Sequence, residues 1–240
     1  MNTTSFRQIE DFLLKYRQSI VKKRIGKTET LTYDFNRLLS EYEQFRSKAI
    51  DEAPFKAPSF NIFRLLGVTR DEVRTHSSFL AELLNPAGTH GQGDIFLRNF
   101  MEYCKSELDY FPIELSKLEQ EPWNAFTEES VQEGRLDIQI INRNLGVLCV
   151  IENKIDAPEQ DRQLERYQKY MKKRLRDFPT QALIFLSIRG KRSISASDQD
   201  YYRLSYHNDI FTWLQNTLLE IKAPIVEATI RQYMDVVRSL

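Results

Sequence analysis

The sequence has few cysteines, no long apolar run and no excess of charge of either sign. Cys104 and Cys149 are its only cysteines, too few for a disulfide framework or a structural zinc site. The longest apolar runs, such as 147–151, have the length of a strand, whereas a membrane helix needs about 18 apolar residues. Residues 1–14 show no secretion signal, so we expect a cytoplasmic protein without a membrane partner.

The charges of the chain balance, because 34 lysines and arginines face 34 aspartates and glutamates. The chain therefore lacks the overall basicity of many nucleic-acid-binding proteins, and any such binding must use a local basic patch. Hydrophobic residues make up 41% of the 240 residues and charged residues 28%, which is typical of a globular protein. Disordered and fibrous classes are excluded.

The pattern of apolar residues predicts two regions in the chain. Amphipathic stretches over 6–25 and 31–49 predict a helical hairpin within residues 1–50. Residues 51–59 carry two prolines and no periodicity, which predicts a linker. Residues 60–240 then form the main domain.

Helices and strands are mixed in the main domain, which predicts an α/β fold. Thr69 and Glu72 match the capping box that opens a helix, and this helix would end before Pro86. His90 follows in a glycine-rich turn, which we expect it to shape. We predict no element from about 108 to 133. The other predicted elements are helices over 94–107, 159–173, 210–221 and 225–240, and strands over 135–141, 146–155 and 182–188.

Two carboxylates and a lysine are predicted to meet on neighbouring strands. Glu152 and Lys154 are two residues apart on one strand, so they project from the same face. Asp137 points to the other face from the apolar residues that alternate with it, and pairing of the two strands can place it beside Glu152. Because adjacent carboxylates repel unless a cation lies between them, the pattern favours bound Mg²⁺ or Mn²⁺. Taken alone, Glu152 and Lys154 fit a structural ion pair equally well.

These residues and two on the next helix carry a resemblance to a known family. Asp137, the triplet Glu152-Asn153-Lys154, and Gln163 with Tyr167 resemble the motifs of the PD-(D/E)XK nuclease superfamily. The Gln-x-x-x-Tyr spacing resembles its RecB-like branch. Residues 72–93 are similar to the opening helix of an uncharacterised branch, and the resemblance extends from about residue 60 to the C-terminus.

One departure from the family pattern is Leu136, which stands where the superfamily has proline. A proline side chain binds neither metal nor phosphate, so the expected chemistry is unchanged.

The resemblance implies a restriction-endonuclease-like core of one helix, a three-stranded antiparallel meander, a second helix and a fourth strand. It also implies that Asp137, Glu152 and the backbone carbonyl of Asn153 hold Mg²⁺ or Mn²⁺. Lys154 would then contact the attacking water or the scissile phosphate. Gln163 and Tyr167 share a helical face; they would orient Lys154 and a phosphate oxygen, or simply form the edge of an amphipathic helix.

Two residues of the predicted first helix are further candidates. Glu72 is predicted to contact the metal, and the alternative is that it only completes the capping box with Thr69. His76 lies four residues later on the same face and would be a ligand in a RecB-like enzyme. A lone helical histidine is more often a packed, hydrogen-bonded core residue.

Basic residues follow Tyr167 along its helix, interleaved with Tyr170. Such a pattern suits a phosphate backbone with bases nearby, and the alternative is a solvated charged face. The predicted nucleic-acid-binding residues are Arg166, Lys169, Lys172, Lys173 and Arg176.

The predicted function is metal-dependent hydrolysis of phosphodiester bonds in nucleic acid, with DNA favoured. A catalytically silent nucleic-acid-binding or assembly module on the same fold is the first alternative. A hydrolase of another phosphate ester is the second. The intact set of Asp137, Glu152 and Lys154 favours an enzyme, because a silent relative would be free to lose it. Whether the protein forms a homodimer or binds a partner protein is left open by the sequence.

Overall fold

The computed structural model describes two compact units, residues 1–60 and 61–240. In the first unit, residues 14–18, 32–44 and 46–48 are helical. The turn of the predicted hairpin and most of the predicted linker lie outside the described residues, so both stay predictions. The described residues are 14–18, 32–44, 46–48, 51, 57, 59–114, 122–131, 134–160, 162–194 and 201–240.

The second unit has a mixed α/β architecture, which confirms the predicted fold class. A helix, a three-stranded meander, a second helix and a fourth strand follow one another as expected, and further helices end the chain. The elements are α1 (Ile62–Leu65), a π-helical turn (Glu72–Ser77) continuing into α2 (Ser78–Leu84), α3 (Ile95–Glu107), β1 (Asn124–Val131), β2 (Gly134–Asn142), β3 (Val147–Lys154), α4 (Gln163–Lys173), β4 (Thr180–Ser187), β5 (Tyr202–Ser205), a second π-helical turn (Tyr206–Ile210) leading into α5 (Phe211–Thr217), and α6 (Pro224–Ser239).

The five strands form one sheet in the order β1-β2-β3-β4-β5. The first three are antiparallel, whereas β4 runs parallel to β3 and β5 runs parallel to β4. A tight turn joins β2 to β3 at Gly146, where φ is +64° and an added Cβ would lie 2.7 Å from Pro179. Only glycine fits there, and the turn brings the start of β2 beside the end of β3.

Apolar side chains cover both faces of the sheet. All eight residues of β3 are buried, as expected for a central strand. Cys149 and Ile151 pack on the face covered by α2, α3, α5 and α6, and Leu148 and Val150 pack on the face covered by α4. In the described part of the chain, no helix is both long and apolar enough to cross a membrane.

Several elements differ from the sequence prediction. The residue pattern does not locate β1, the first strand of the meander, because its sequence NAFTEESV is largely polar and lies at the sheet edge. β5 was also missed, since four residues give no readable alternation. α4 begins at Gln163, later than predicted, because the preceding Arg162 has a left-handed backbone with φ of 51°.

Candidate active site

Three predicted residues meet where β2 begins and β3 ends. Ile138 lies opposite Ile151, so one step further along this antiparallel pair places Asp137 opposite Glu152. Lys154 follows on the same face of β3. Asp137, Glu152 and Lys154 are 7%, 0% and 5% exposed, respectively, so three ionisable side chains are concentrated in a buried site.

Lys154 bridges two carboxylates in this site. Its Nζ lies 2.6 Å from Oε1 of Glu152 and 3.4 Å from Oε1 of Glu72. Burial lowers the pKa of Lys154, but the negative charges of Glu152, Asp137 and Glu72 outweigh burial and raise it. The ammonium is therefore held as a cation.

The carboxylate of Glu152 is poorly satisfied for a buried group. Its Oε1 is paired with Nζ of Lys154 at 2.6 Å, whereas its Oε2 has no hydrogen-bond partner among the described residues. Burial and the charge of Asp137 raise the pKa of Glu152 to about 8, and the attraction of Lys154 only partly opposes them. Because buried polar groups are nearly always paired, this carboxylate is a natural place for a cation.

Asp137 is tied to the backbone of β3. Its Oδ2 accepts a hydrogen bond of 2.8 Å from the backbone N–H of Asn153. Burial raises the pKa of Asp137, while this hydrogen bond and the charge of Lys154 act in the opposite direction. The carboxylate is thus oriented towards the end of β3.

The side chain of Asn153 lies away from the two carboxylates. Its Nδ2 donates to the carbonyl of Glu72 and to Oγ of Ser77, and its Oδ1 accepts from the hydroxyl of Tyr206 at 2.8 Å. These bonds fasten the first π-helical turn to β3. Only the backbone of Asn153 is left to face a metal, and its role as a ligand stays a prediction.

Glu72 reaches the site from the first π-helical turn, and the predicted capping box is wrong. Asp71, not Thr69, is the N-cap residue, because its side chain accepts from the N–H of Arg74 at 2.8 Å. The carboxylate of Glu72 crosses to β3 instead, where Oε2 accepts from the N–H of Ile155 at 2.7 Å. π-Helical turns often occur at functional sites, and this one aims an acid at Lys154.

His76 is a core residue in this fold. Its Nε2–H donates to the carbonyl of Thr69 at 3.0 Å, and its Nδ1 lies 2.9 Å from the hydroxyl of Tyr233. The residue is fully buried, and burial lowers the pKa of the imidazole. Since both ring nitrogens are occupied, His76 is not placed to bind a metal. His90 shapes its turn as expected, with Nε2 3.0 Å from the carbonyl of Asn85.

A cavity of about 250 Å³ opens beside these residues. Gln163 and Tyr167 line it together with Glu72, Asp137 and Lys154. Nε2 of Gln163 donates to the hydroxyl of Tyr167 at 3.2 Å, and that hydroxyl donates to the carbonyl of Arg135. These bonds hold the pair against β2 and do not connect it to Lys154.

Four of the predicted basic residues lie on α4, and Arg176 lies in the turn that follows it. Arg166 lines the cavity, whereas Lys169, Lys172, Lys173 and Arg176 are exposed. The ten residue steps of α4 from Gln163 to Lys173 correspond to about 15 Å. Most of these cations therefore lie well beyond the carboxylates.

The donor set fits a magnesium-type ion. In the parts of the chain that the structure describes, no group of three or more His, Cys, Asp or Glu side chains is arranged to enclose a metal. Mg²⁺ does not need such a cage, because it usually keeps several waters and binds through one or two carboxylates. Asp137 and Glu152 supply two hard oxygen donors, one of them without a hydrogen bond.

Sequence reasoning missed the residues that brace this site. Tyr206 is 53 positions from Asn153, and Ile155 contributes only a backbone N–H to Glu72. No spacing rule connects such partners, because they meet only through the packing of the π-helical turns on the sheet.

Comparison with known proteins gave one family. The model of the PD-(D/E)XK nuclease superfamily matches residues 60–235, which is most of the chain. No curated protein and no solved structure matches the chain.

Proposed function

Because the chain belongs to the PD-(D/E)XK nuclease superfamily, we propose that it is a metal-dependent nuclease that hydrolyses phosphodiester bonds in nucleic acid. DNA is the expected polymer. The observation that carries the proposal is a pair of buried carboxylates. Asp137 lies opposite Glu152, Oε1 of Glu152 is 2.6 Å from Nζ of Lys154, and Oε2 of Glu152 has no hydrogen-bond partner among the described residues. A structural ion pair between Glu152 and Lys154 does not account for a second buried carboxylate, that of Asp137, beside Glu152.

In this proposal Asp137 and Glu152 hold Mg²⁺ or Mn²⁺, with the backbone carbonyl of Asn153 and the side chain of Glu72 as further contacts. When bound, the ion supplies positive charge to the phosphate and acidity to a coordinated water. Glu152 needs to be ionised for this role, and Lys154 at 2.6 Å favours the ionised form.

Lys154 has a separate part in the reaction. Its contact with Glu72 is long, at 3.4 Å, and it lines the cavity, so an oxygen of the substrate or the attacking water can replace that contact. A cation fixed at this point stabilises the charge that develops on the phosphate in the transition state.

The walls of the cavity orient the substrate. Gln163 and Tyr167 are held by their mutual hydrogen bond and by β2, which keeps this wall rigid. Arg166 is the basic residue of α4 that lines the cavity, and a phosphate next to the scissile one is its expected contact. The RecB-like assignment rests on this pair alone, because His76 is bonded elsewhere.

The activity is tested by incubating purified protein with labelled linear and circular DNA and with RNA. Mg²⁺, Mn²⁺ or EDTA is added in parallel, and Asp137→Asn serves as the control. We expect cleavage products with a divalent metal, and none with EDTA or in the variant. Binding of nucleic acid without cleavage in any metal would favour the silent module. Cleavage of small phosphate esters alone would favour the other hydrolase.

Metal binding gives a second test that does not depend on activity. Asp137→Asn removes one negative charge but keeps an oxygen that can accept from the N–H of Asn153. We expect calorimetric titration to show Mn²⁺ binding to the parent and weaker binding to the variant by at least about tenfold, the scale on which changes around a metal site reduce affinity. Without metal and above about pH 8, where Glu152 is ionised, the variant should be as stable as the parent or more stable, because a like-charge repulsion is gone. Equal Mn²⁺ affinity would make Asp137 structural.

The role of α4 and the turn that follows it is tested by reversing three exposed charges, Lys172→Glu, Lys173→Glu and Arg176→Glu. If this helix contacts phosphates, affinity should fall for all sequences alike, and the salt slope on duplex DNA should flatten by about 0.9 for each lost contact. Fluorescence anisotropy at several salt concentrations measures both effects, and Mn²⁺ affinity is the control that should not change. Unaltered affinity and slope would make α4 a solvated face.

A further inference from the structure

A second basic surface lies in the turn after β4. Arg189, Lys191 and Arg192 are three cations in four residues, and all three are exposed. β3 and β4 are parallel, with Lys154 opposite Ser187. The chain that follows Ser187 therefore leaves the sheet at the same edge as the cavity.

The turn has a defined conformation. The N–H of Lys191 donates to Oγ of Ser187 at 2.9 Å, and the N–H of Ser193 donates to the hydroxyl of Tyr201 at 2.8 Å. Gly190 has a φ of +67°, which a residue with a side chain would rarely adopt. These contacts fix where the basic side chains leave the backbone.

Glu159 connects this turn to the wall of the cavity. Its carboxylate accepts from Oγ of Ser193 and, at 2.8 Å, from the N–H of Ile194. Glu159 lies between Pro158 and Gln160, and both of these neighbours line the cavity. The basic turn and the cavity are thus joined by hydrogen bonds through a single side chain.

We propose that residues 189–192 form a phosphate-binding surface that holds the backbone of a nucleic-acid strand entering the cavity. This inference rests on the proposed function and identifies a surface that binds the nucleic-acid substrate. The segment 188–194 contains no acidic residue, and the carboxylate of Glu159 beside it is hydrogen-bonded to Ser193 and Ile194. Lysine and arginine bind phosphates whatever the base sequence, so the surface adds affinity and position without sequence preference.

The test is the double charge reversal Arg189→Glu with Lys191→Glu. A matched control, Arg143→Glu with Lys222→Glu, changes the net charge by the same amount. Arg143 lies in the turn before β3, at the opposite end of that strand from Lys154, and the seven residue steps of the strand span about 23 Å. Lys222 lies between α5 and α6, where its N–H donates to the side chain of Gln92 in the turn that follows α2.

Binding to labelled single-stranded and duplex DNA is measured by anisotropy in EDTA at several salt concentrations. We expect the turn variant to bind at least about tenfold more weakly, with a salt slope smaller by about 1 to 2, and the control to stay within about twofold of the parent. Circular dichroism and the milder Arg189→Gln with Lys191→Gln variant separate lost binding from misfolding. Binding and slope equal to the parent in both variants, or an equal loss in the control, would overturn the inference.

Cleavage assays separate this inference from the proposed function. With Mn²⁺, we compare the polymer with bis(4-nitrophenyl) phosphate, a diester too small to span the cavity and the turn. The turn variant should show a raised KM on the polymer, and its polymer rate should fall more than its rate on the small diester. If the parent cleaves but the turn variant keeps the parent's KM, the inference fails and the function stands. If the parent binds DNA through the turn without cleaving it, the function fails and the binding surface stands.

Discussion

Replacing Lys154 with methionine is expected to lower kcat/KM on nucleic acid by about 30- to 1,000-fold. This loss corresponds to about 2 to 4 kcal/mol of transition-state stabilisation, the range found when one fixed electrostatic contact is removed from an active site. Methionine keeps much of the length and volume of the lysine, so the cavity is not opened. Nucleic-acid affinity measured in EDTA should change little, because the lysine acts mainly on charge that develops during the reaction.

The same substitution should also destabilise the protein, since it leaves Glu152 buried without its counter-charge. Breaking a buried ion pair by removing one partner commonly costs about 3 to 5 kcal/mol. Protonation of Glu152 reduces this cost, because burial already raises its pKa to about 8. Urea unfolding measured by the fluorescence of the buried Trp123 and Trp213 gives the change in unfolding free energy.

A double variant separates the catalytic and structural parts of this effect. Adding Glu152→Gln to Lys154→Met removes the unpaired charge, so stability should return towards that of the parent, while activity stays lost. A folded Lys154→Met protein that turns over substrate at the parental rate would show that Lys154 has no part in catalysis. Recovered activity in the double variant would mean that the single substitution acted through folding.

The strands that carry the site are predictable from the sequence because they are central and apolar. Ile138 and Ile140 of β2 pack on one face of the sheet as the sequence predicts, although Leu136 packs in the cluster on the other face. The meeting of Asp137 with Glu152 follows from the pairing of β2 with β3. The edge strands give no such signal. The largely polar β1 and the four-residue β5 join the sheet through backbone hydrogen bonds, which are nearly independent of the pattern of side chains.

The position of Glu72 could be predicted only in part. The capping-box spacing from Thr69 to Glu72 predicted an α-helix, but the chain forms a π-helical turn that begins at the Asp71 cap. Oγ of Ser77 donates to the carbonyl of Glu72 at 2.9 Å, and Nδ2 of Asn153 donates to the same carbonyl. The winding of this turn thus depends on β3, which lies far away in the sequence, and local spacing cannot reveal it.

The metal-free protein is expected to lose stability as the pH rises from about 5.5 to about 8.5. Burial raises the pKa of Glu152 to about 8, whereas a glutamate in the unfolded chain titrates near 4.5. Between these values the folded protein keeps a proton that the unfolded chain has released. This contribution is therefore complete below about pH 4.5, and it falls by about 1.4 kcal/mol per pH unit until the pH passes the folded pKa. Asp137, whose pKa burial also raises, acts in the same direction.

The comparison with Glu152→Gln isolates this contribution. Burial lowers the pKa of His76, so that residue adds stability as the pH rises, but it does so equally in parent and variant. The difference in unfolding free energy between the two proteins should thus change by on the order of 2 to 3 kcal/mol across this range. Mg²⁺ or Mn²⁺ should reverse the loss in the parent at high pH, by about 2.7 kcal/mol at one hundred times its Kd, and leave Glu152→Gln unaffected. A ligand that binds only the folded state must stabilise it. If neither metal changes the stability of the parent near pH 8.5, the buried carboxylates form a structural cluster.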